Sequence, residues 1–324
     1  MMNRRDFVAA AATSLVAGCA GVRGSSVGGG APNGSGAARL PIGFSTLGTP
    51  NWDWIPTLDF AAVHGFASVE LRGIRDTMDL SQRPEFQPSA IAQTRRELRN
   101  RGLVVPVLGA SMNMHEKDAA KDAAKYADAM AETRRFIDVA SALGAPYVRV
   151  FGNTFVKTAP REPQLAYIAR GLRDLGAYAQ PRGVTVLLES HGDFVDSPTL
   201  LEIMRLADSS AVALLWDAHH TFVGGESPET SVRELGRFIR HTHLKDSVPA
   251  GTDRKYVLTG TGDVPVRRQV EALARSGYRG FYNFEWEKRW HPEIAEPEVA
   301  IAQYATVVSG YLRDAGVAPM AVGL

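Results

Sequence analysis

A chain of 324 residues with 36 Lys+Arg against 35 Asp+Glu carries a formal net charge of +1, so it lacks the basic footprint that a duplex nucleic acid partner demands. A single cysteine excludes an intrachain disulfide, and no run reaches the ~20 apolar residues of a membrane span. The length fits one large α/β domain as readily as two small ones.

The first residues read as a targeting segment. Arg4 and Arg5 precede Phe7 and an uncharged run ending near Gly18, the plan of an export signal. "NRRDFV" resembles the twin-arginine motif, and "VAGC" (Val16 to Cys19) resembles a bacterial lipobox, whose cysteine becomes the acylated first residue. The alternative is that Cys19 is simply a small apolar residue of the signal. Residues 1–19 are thus expected to direct export to the periplasm, where a lipid on Cys19 would be the protein's one membrane contact. Residues 20–39, rich in Gly and Ser, are expected to form a flexible tether. The folded domain is expected to span residues 40–324.

From Leu40 a β-rich apolar run followed by a helical stretch recurs eight times. The runs are "LPIGFST", "FASVELRG", "LVVPVLGASMN", "PYVRVFGN", "VTVLLESHGD", "VALLWDAHH", "IRHTHLKD" and "GFYNFEWE". Between them lie segments such as "PQLAYIARGLRDLGAYAQ" with apolar residues at helical spacing. Gly65, Gly102, Gly144, Gly183 and Gly277 stand where a left-handed residue closes a helix. Ser197-Pro198 and Ser227-Pro228 have the form of an N-cap followed by a first-turn proline. Alternating βα units imply a parallel sheet, and eight of them over about 280 residues predict a single-domain (β/α)8 TIM barrel. A doubly wound sheet would show a Gly-rich turn after its first strand, which "GFSTLGTPNW" lacks. The Gly-x-Gly of "TGTGDVP" reads as a turn leading to an Asp263 N-cap.

Function in such a barrel sits at the C-terminal ends of the strands. The fifth run ends in Glu189, His191 and Asp193; the sixth in Asp217, His219 and His220; the seventh carries His241, His243 and Lys245 on one face; the eighth carries Glu285 and Glu287. Singly, each has an ordinary explanation. Glu189 or Asp217 can cap the next helix, a strand histidine can be a hydrogen-bonded core residue, and Glu285 can belong to a solvated patch. Together, four consecutive strands deliver a carboxylate or imidazole to one rim. Like charges gathered there would raise each other's pKa, and a divalent cation removes the conflict. Glu189, Asp217, His243 and Glu285 are therefore the expected metal ligands. Three carboxylates and one imidazole suit Mn²⁺, Mg²⁺, Co²⁺ or Fe²⁺, and Zn²⁺ also fits.

These motifs together resemble the xylose isomerase-like TIM-barrel superfamily, which takes in sugar phosphate isomerases and epimerases and relatives of AP endonuclease family 2. The resemblance covers the chain after about residue 40. It implies that Glu189 and Glu285 also act as acid and base on opposite faces of a sugar, and that His220 binds a substrate oxygen. The ketose 3-epimerase branch has an arginine beyond the metal histidine and a second glutamate after the first. Here those stretches read "LKDSVP" and "SHGDFVD", so Lys245 and His191 would serve as the polar contacts. Arg72, Asn113, His115, Arg149 and Asn153 are expected to line the mouth, with Arg72 on substrate. Endonuclease IV-type enzymes need a further Asp-x-His after the seventh strand, and "VPAGTDRKYVLTGTG" has no histidine.

The implied activity is a divalent-metal carbohydrate isomerase or epimerase. It would abstract a proton next to a carbonyl through a metal-stabilised enediolate. One rival is an exported lyase that cleaves a 3-keto-glycoside by β-elimination on the same site. Another is a sugar-binding lipoprotein without catalysis, for which an acid–base pair of glutamates would have no use. Trp52, Trp54, Trp286 and Trp290 are candidates to stack on a sugar ring or to serve in packing.

Overall fold

The computed structural model describes residues 38–115 and 123–322. The export signal and most of the tether expected before residue 40, Cys19 included, lie outside the described residues. Seven strands come first: β1 (Ile42–Ser45), β2 (Ser68–Glu70), β3 (Val107–Asn113), β4 (Tyr147–Phe151), β5 (Thr185–Glu189), β6 (Val212–Asp217) and β7 (Ile239–Leu244). An antiparallel hairpin of β8 (Asp246–Ala250) and β9 (Asp253–Val257) follows, and then β10 (Tyr282–Phe284). β1–β7 and β10 form one parallel sheet in the order β2-β1-β10-β7-β6-β5-β4-β3. Its two ends meet. Parallel bridges join Ser68 to Val104 and Leu71 to Leu108, and the Val69 and Gly109 amides donate to Val104 and Leu71 carbonyls at 3.0 and 2.8 Å. The sheet is thereby closed as the predicted (β/α)8 barrel.

The helices among the described residues are α1 (Trp54–Val63), α2 (Ile91–Asn100), α3 (Ala123–Leu143), α4 (Arg161–Ala179), α5 (Ser197–Ala207), α6 (Ala218–Val223), α7 (Pro228–Leu235), α8 (Val266–Arg275) and α9 (Pro297–Asp314). None is long and apolar enough to cross a membrane. α4 shows why these segments fold as they do. Leu165, Ile168, Ala169, Leu172 and Leu175 recur at helical spacing, and all are buried against the sheet. The five helix-closing glycines adopt φ between +59° and +80°, the conformation their place predicts.

One helix cap is as expected and two differ. α7 is capped by Ser227, whose Oγ accepts the Thr230 amide at 3.2 Å. On α5 the cap is Asp196, one residue earlier than Ser197, and its carboxylate accepts the Thr199 amide at 2.9 Å. Ser197 instead donates its hydroxyl to Glu226 at 2.6 Å. Asp263 does not cap α8, which starts after Pro265 with no side-chain cap; the Asp263 carboxylate is taken by Arg254.

The core lies in two layers because strand side chains alternate. Val148, Val150, Val186, Leu188, Leu214 and Trp216 point outward into the layer shared with the helices. Val107, Leu187, Ala213 and Leu215, with Tyr147 against them, fill the barrel interior toward its N-terminal end. Each such Val or Leu side chain removed from water stabilises the fold by about 1.5–3 kcal/mol.

Candidate metal centre

One step further along the same interior faces, the side chains change character. Glu189 ends β5, Asp217 ends β6, His243 lies on β7, and Glu285 directly follows β10. In the sheet these four strands are neighbours, and Asp217 and Asn283 both sit level with His243. One ligand atom from each of Glu189, Asp217, His243 and Glu285 lies within 4.8 Å of the others. His243 Nδ1 is 3.6 Å from Glu189 Oε1, 3.8 Å from Asp217 Oδ2 and 3.2 Å from Glu285 Oε1. All four residues are buried.

Each is also held from behind. Glu189 Oε2 faces Arg149 Nε at 2.9 Å. Asp217 Oδ1 accepts the His219 and His220 amides at 2.9 and 3.1 Å, so Asp217 both caps α6 and reaches the centre. Lys245, fully buried, donates to Asp217 Oδ2 and Glu287 Oε1 at 2.7 and 2.8 Å and to Glu285 Oε2. His243 Nε2 lies 2.8 Å from Glu70 Oε2. The same oxygen meets His241 Nε2 at 2.9 Å and accepts from Asn283 Nδ2 at 3.2 Å. Gly109 makes room for this support. A Cβ there would fall 2.7 Å from Arg149 Nη2 and 2.8 Å from Arg72 Cδ.

The electrostatics depart from mutual repulsion among the carboxylates. Burial alone would raise the Glu189 pKa, but Arg149 and His243 outweigh it and hold it at about 2. Glu285 is likewise held well below the usual carboxylate range by His243 and Lys245 against burial. Glu287 goes the other way, pushed by burial to about 7 despite Lys245. Fixed cations, brought in from β4 and from beyond β7, relieve the repulsion that the strand ends alone would suffer.

The donor set fits a divalent cation. A carboxylate only accepts hydrogen bonds, so Glu70 requires the proton of His243 on Nε2. The Nδ1 lone pair then points among three carboxylates, and Nδ1 is buried without a hydrogen-bond partner. Such a constellation needs positive charge at its centre. A second proton on His243 meets the need in the metal-free chain, where the surrounding carboxylates raise the imidazole pKa well above its usual value against the effect of burial. A divalent cation meets it with two charges and four ligand atoms.

The remaining expected site residues fall around this centre. His220 Nε2 is 3.6 Å from Asp217 Oδ2. The His191 ring lies 4.7 Å from that of His220, and its Nδ1 is 3.2 Å from Asn153 Oδ1. Arg72 Nη1 donates to Ser111 Oγ at 3.1 Å and to the Gly109 carbonyl at 3.4 Å. Burial and the neighbouring Arg149 bring the Arg72 pKa down to about 9. Lys245, expected on substrate oxygens, has its ammonium enclosed by three carboxylates. Trp54 and Trp286 belong to the packing: Trp54 meets Phe86 edge-on, and Trp286 stacks on Phe284. Trp290 is 56% exposed. The β8–β9 hairpin, not foreseen from the sequence, brings the Tyr256 ring to 6.0 Å from Lys245 Nζ and 5.5 Å from the His219 ring. Glu70 was not anticipated either. Its signal was the inward series Ser68, Glu70, Arg72 in "FASVELRG", an unusual run of polar residues inside a strand.

A family model described as a xylose isomerase-like TIM barrel matches residues 58–305. An inosose dehydratase of Bacillus thuringiensis (strain Al Hakam) is 27% identical over 164 residues, 45% of this chain and 53% of that one. The chain thus spans about half the length of the curated relatives it matches. Among solved structures, the IOLI protein with a bound zinc atom has a TM-score of 0.69 at 20% identity, covering 84% of this chain and 99% of the other. A D-allulose 3-epimerase from Methylomonas sp. has a TM-score of 0.66 at 18% identity, covering 86% and 100%. At these identities the structural likeness establishes the fold.

Proposed function

This chain belongs to the xylose isomerase-like TIM-barrel family, and from that premise we propose that it is a divalent-metal-dependent enzyme that isomerises or epimerises a small carbohydrate. The observation that carries the proposal is the position of His243 Nδ1, buried among Glu189, Asp217 and Glu285 with no hydrogen-bond partner. When bound, the metal would polarise a substrate carbonyl and acidify the C–H beside it. The chain's own residues supply the rest. Glu189 and Glu285 come from the outer two of four adjacent strands, so they flank whatever binds between them. Glu189, ionised at neutral pH, accepts a proton from carbon. Glu285, itself held ionised, must first take up a proton before it returns one from the other flank, and the Lys245 ammonium that donates to it is the adjacent source. His220 and the unused N–H groups of Arg72 meet substrate oxygens.

A second reading keeps the proton abstraction and adds loss of a leaving group, giving a lyase. The dehydratase relative favours it, and so does Glu287, a group in the same cluster that burial keeps partly protonated near neutral pH. If residues 1–19 export the protein, a 3-keto-glycoside would be the fitting substrate for that reaction. The test is to load the protein with Mn²⁺ and offer ketoses and 3-keto-glycosides in D₂O. Deuterium beside the carbonyl with an intact glycosidic bond supports the epimerase; released aglycone supports the lyase. Glu285→Gln should lower turnover by about 10²–10⁴-fold while leaving sugar binding in place. Failure to hold any divalent ion under any loading would sink the proposal.

A further inference from the structure

We infer that Glu70 is the positioning residue of this centre: it fixes His243 in the tautomer that aims Nδ1 at the three carboxylates, and so sets how tightly the site holds a divalent cation. The inference rests on the metal reading above and deepens it. Glu70 lies on β2, three places along the sheet from β7 and 173 residues from His243 in sequence. It is wholly buried. One of its oxygens, Oε2, collects His241, His243 and Asn283, while Oε1 has no hydrogen-bond partner. Concentrating three donors on one oxygen turns both imidazoles by the same rule. Each must carry its proton on Nε2, and each presents an unprotonated Nδ1 when neutral. For His241, one level deeper, that nitrogen faces nothing that bonds it. For His243 it faces the ligand oxygens.

A negative charge behind the imidazole also makes Nδ1 a better electron-pair donor. Carboxylates hydrogen-bonded to metal-bound histidines act this way, and their loss typically costs 10–100-fold in metal affinity. A plain counter-ion role predicts the reverse sign. If Glu70 served only to balance a protonated His243, removing its charge would ease loss of that proton and tighten metal binding. A packing role predicts lower stability with unchanged affinity.

Titration of the full-length metal-free chain with Mn²⁺, with no sugar present, separates these. Glu70→Gln, nearly isosteric, should weaken Mn²⁺ by at least about tenfold, and Glu70→Asp should recover part of the loss. His241→Phe, which leaves the Glu70–His243 contact in place, should stay within about threefold of wild type on the same argument. Equal or tighter Mn²⁺ binding by Glu70→Gln overturns the inference while leaving the metal site standing; no Mn²⁺ binding by wild type overturns both. Should Glu70→Gln fail to fold, ¹⁵N–¹H imidazole spectra of the Zn²⁺-loaded wild type decide alone. Zn²⁺ on Nδ1 with a proton on Nε2 supports the inference, and Zn²⁺ on Nε2 overturns it.

Discussion

On β6, Ala213 and Leu215 face the barrel axis in an apolar layer, and two residues later Asp217 faces the same axis among buried charges. β5 repeats the change from Leu187 to Glu189. The backbone, the pleat and the depth of burial are alike, so the difference lies in how each layer is satisfied. Leu187 needs only neighbours of suitable volume, and the loss of one leaves the others at home in an apolar setting. Glu189, Asp217, Glu285 and Lys245 are stable as a set, because removing one strands its partners as unpaired buried charges. The apolar end of the barrel tolerates change gradually; the charged end does so poorly.

Removing the central ammonium is the most severe way to probe this contrast. Lys245→Met should destabilise the metal-free protein by about 3–5 kcal/mol, read from urea unfolding, and saturating Mn²⁺ should narrow the gap. A loss below about 1 kcal/mol, the scale of an exposed ion pair, would erase the contrast. Leu187→Ala tests the other layer. It should cost about 2–5 kcal/mol and leave the Mn²⁺ dissociation constant where it is in wild type. An affinity that fell in step with stability would mean the two layers are not separable.

Acid–base titration should show the smallest effect, with opposite signs at two carboxyls. The Glu189 pKa is lowered on folding to about 2, so its contribution is present above the unfolded value near 4.5 and is lost as pH falls toward 2. The Glu287 pKa is raised to about 7. Its contribution is present below about 4.5 and is lost as pH rises through 7. In metal-free protein Glu287→Gln should therefore flatten the decline in unfolding midpoint between about pH 4.5 and 7. A decline as steep as in wild type would assign it to other groups.

Much of the barrel was legible because it is written locally. Helix-closing glycines, apolar periods and polar strand ends each sit within a few residues of what they determine. Glu189, Asp217, His243 and Glu285 could be singled out because consecutive strands repeat one placement. Glu70 could not be assigned to His241 and His243 on that basis, since it is the pairing of β1 with β10, far apart in sequence, that brings β2 near β7. Nor did the strand ends reveal that Arg149 and Lys245 neutralise them, because side-chain reach across the barrel is not a sequence distance. The β8–β9 hairpin escaped because "SVPAGTDRKY" carries Pro249 and charges in place of an apolar alternation, as an exposed two-stranded excursion allows.

The pairing of β6 with β7 skips one residue: Leu214 lies opposite Ile239, and Leu215 opposite His241. Arg240 is the extra residue, and it sets the phase of everything after it. Ile239 belongs to the outer layer with Leu214, yet His241, His243 and Lys245 all face the interior. A strand that begins outward and alternates without interruption would place position 241 outward again. Lengthening or shortening the chain by one residue here would therefore turn both histidines and the lysine toward the helices, with every residue of the centre still present in the gene. Chains in this lineage should vary the identity of position 240 freely and its presence hardly at all.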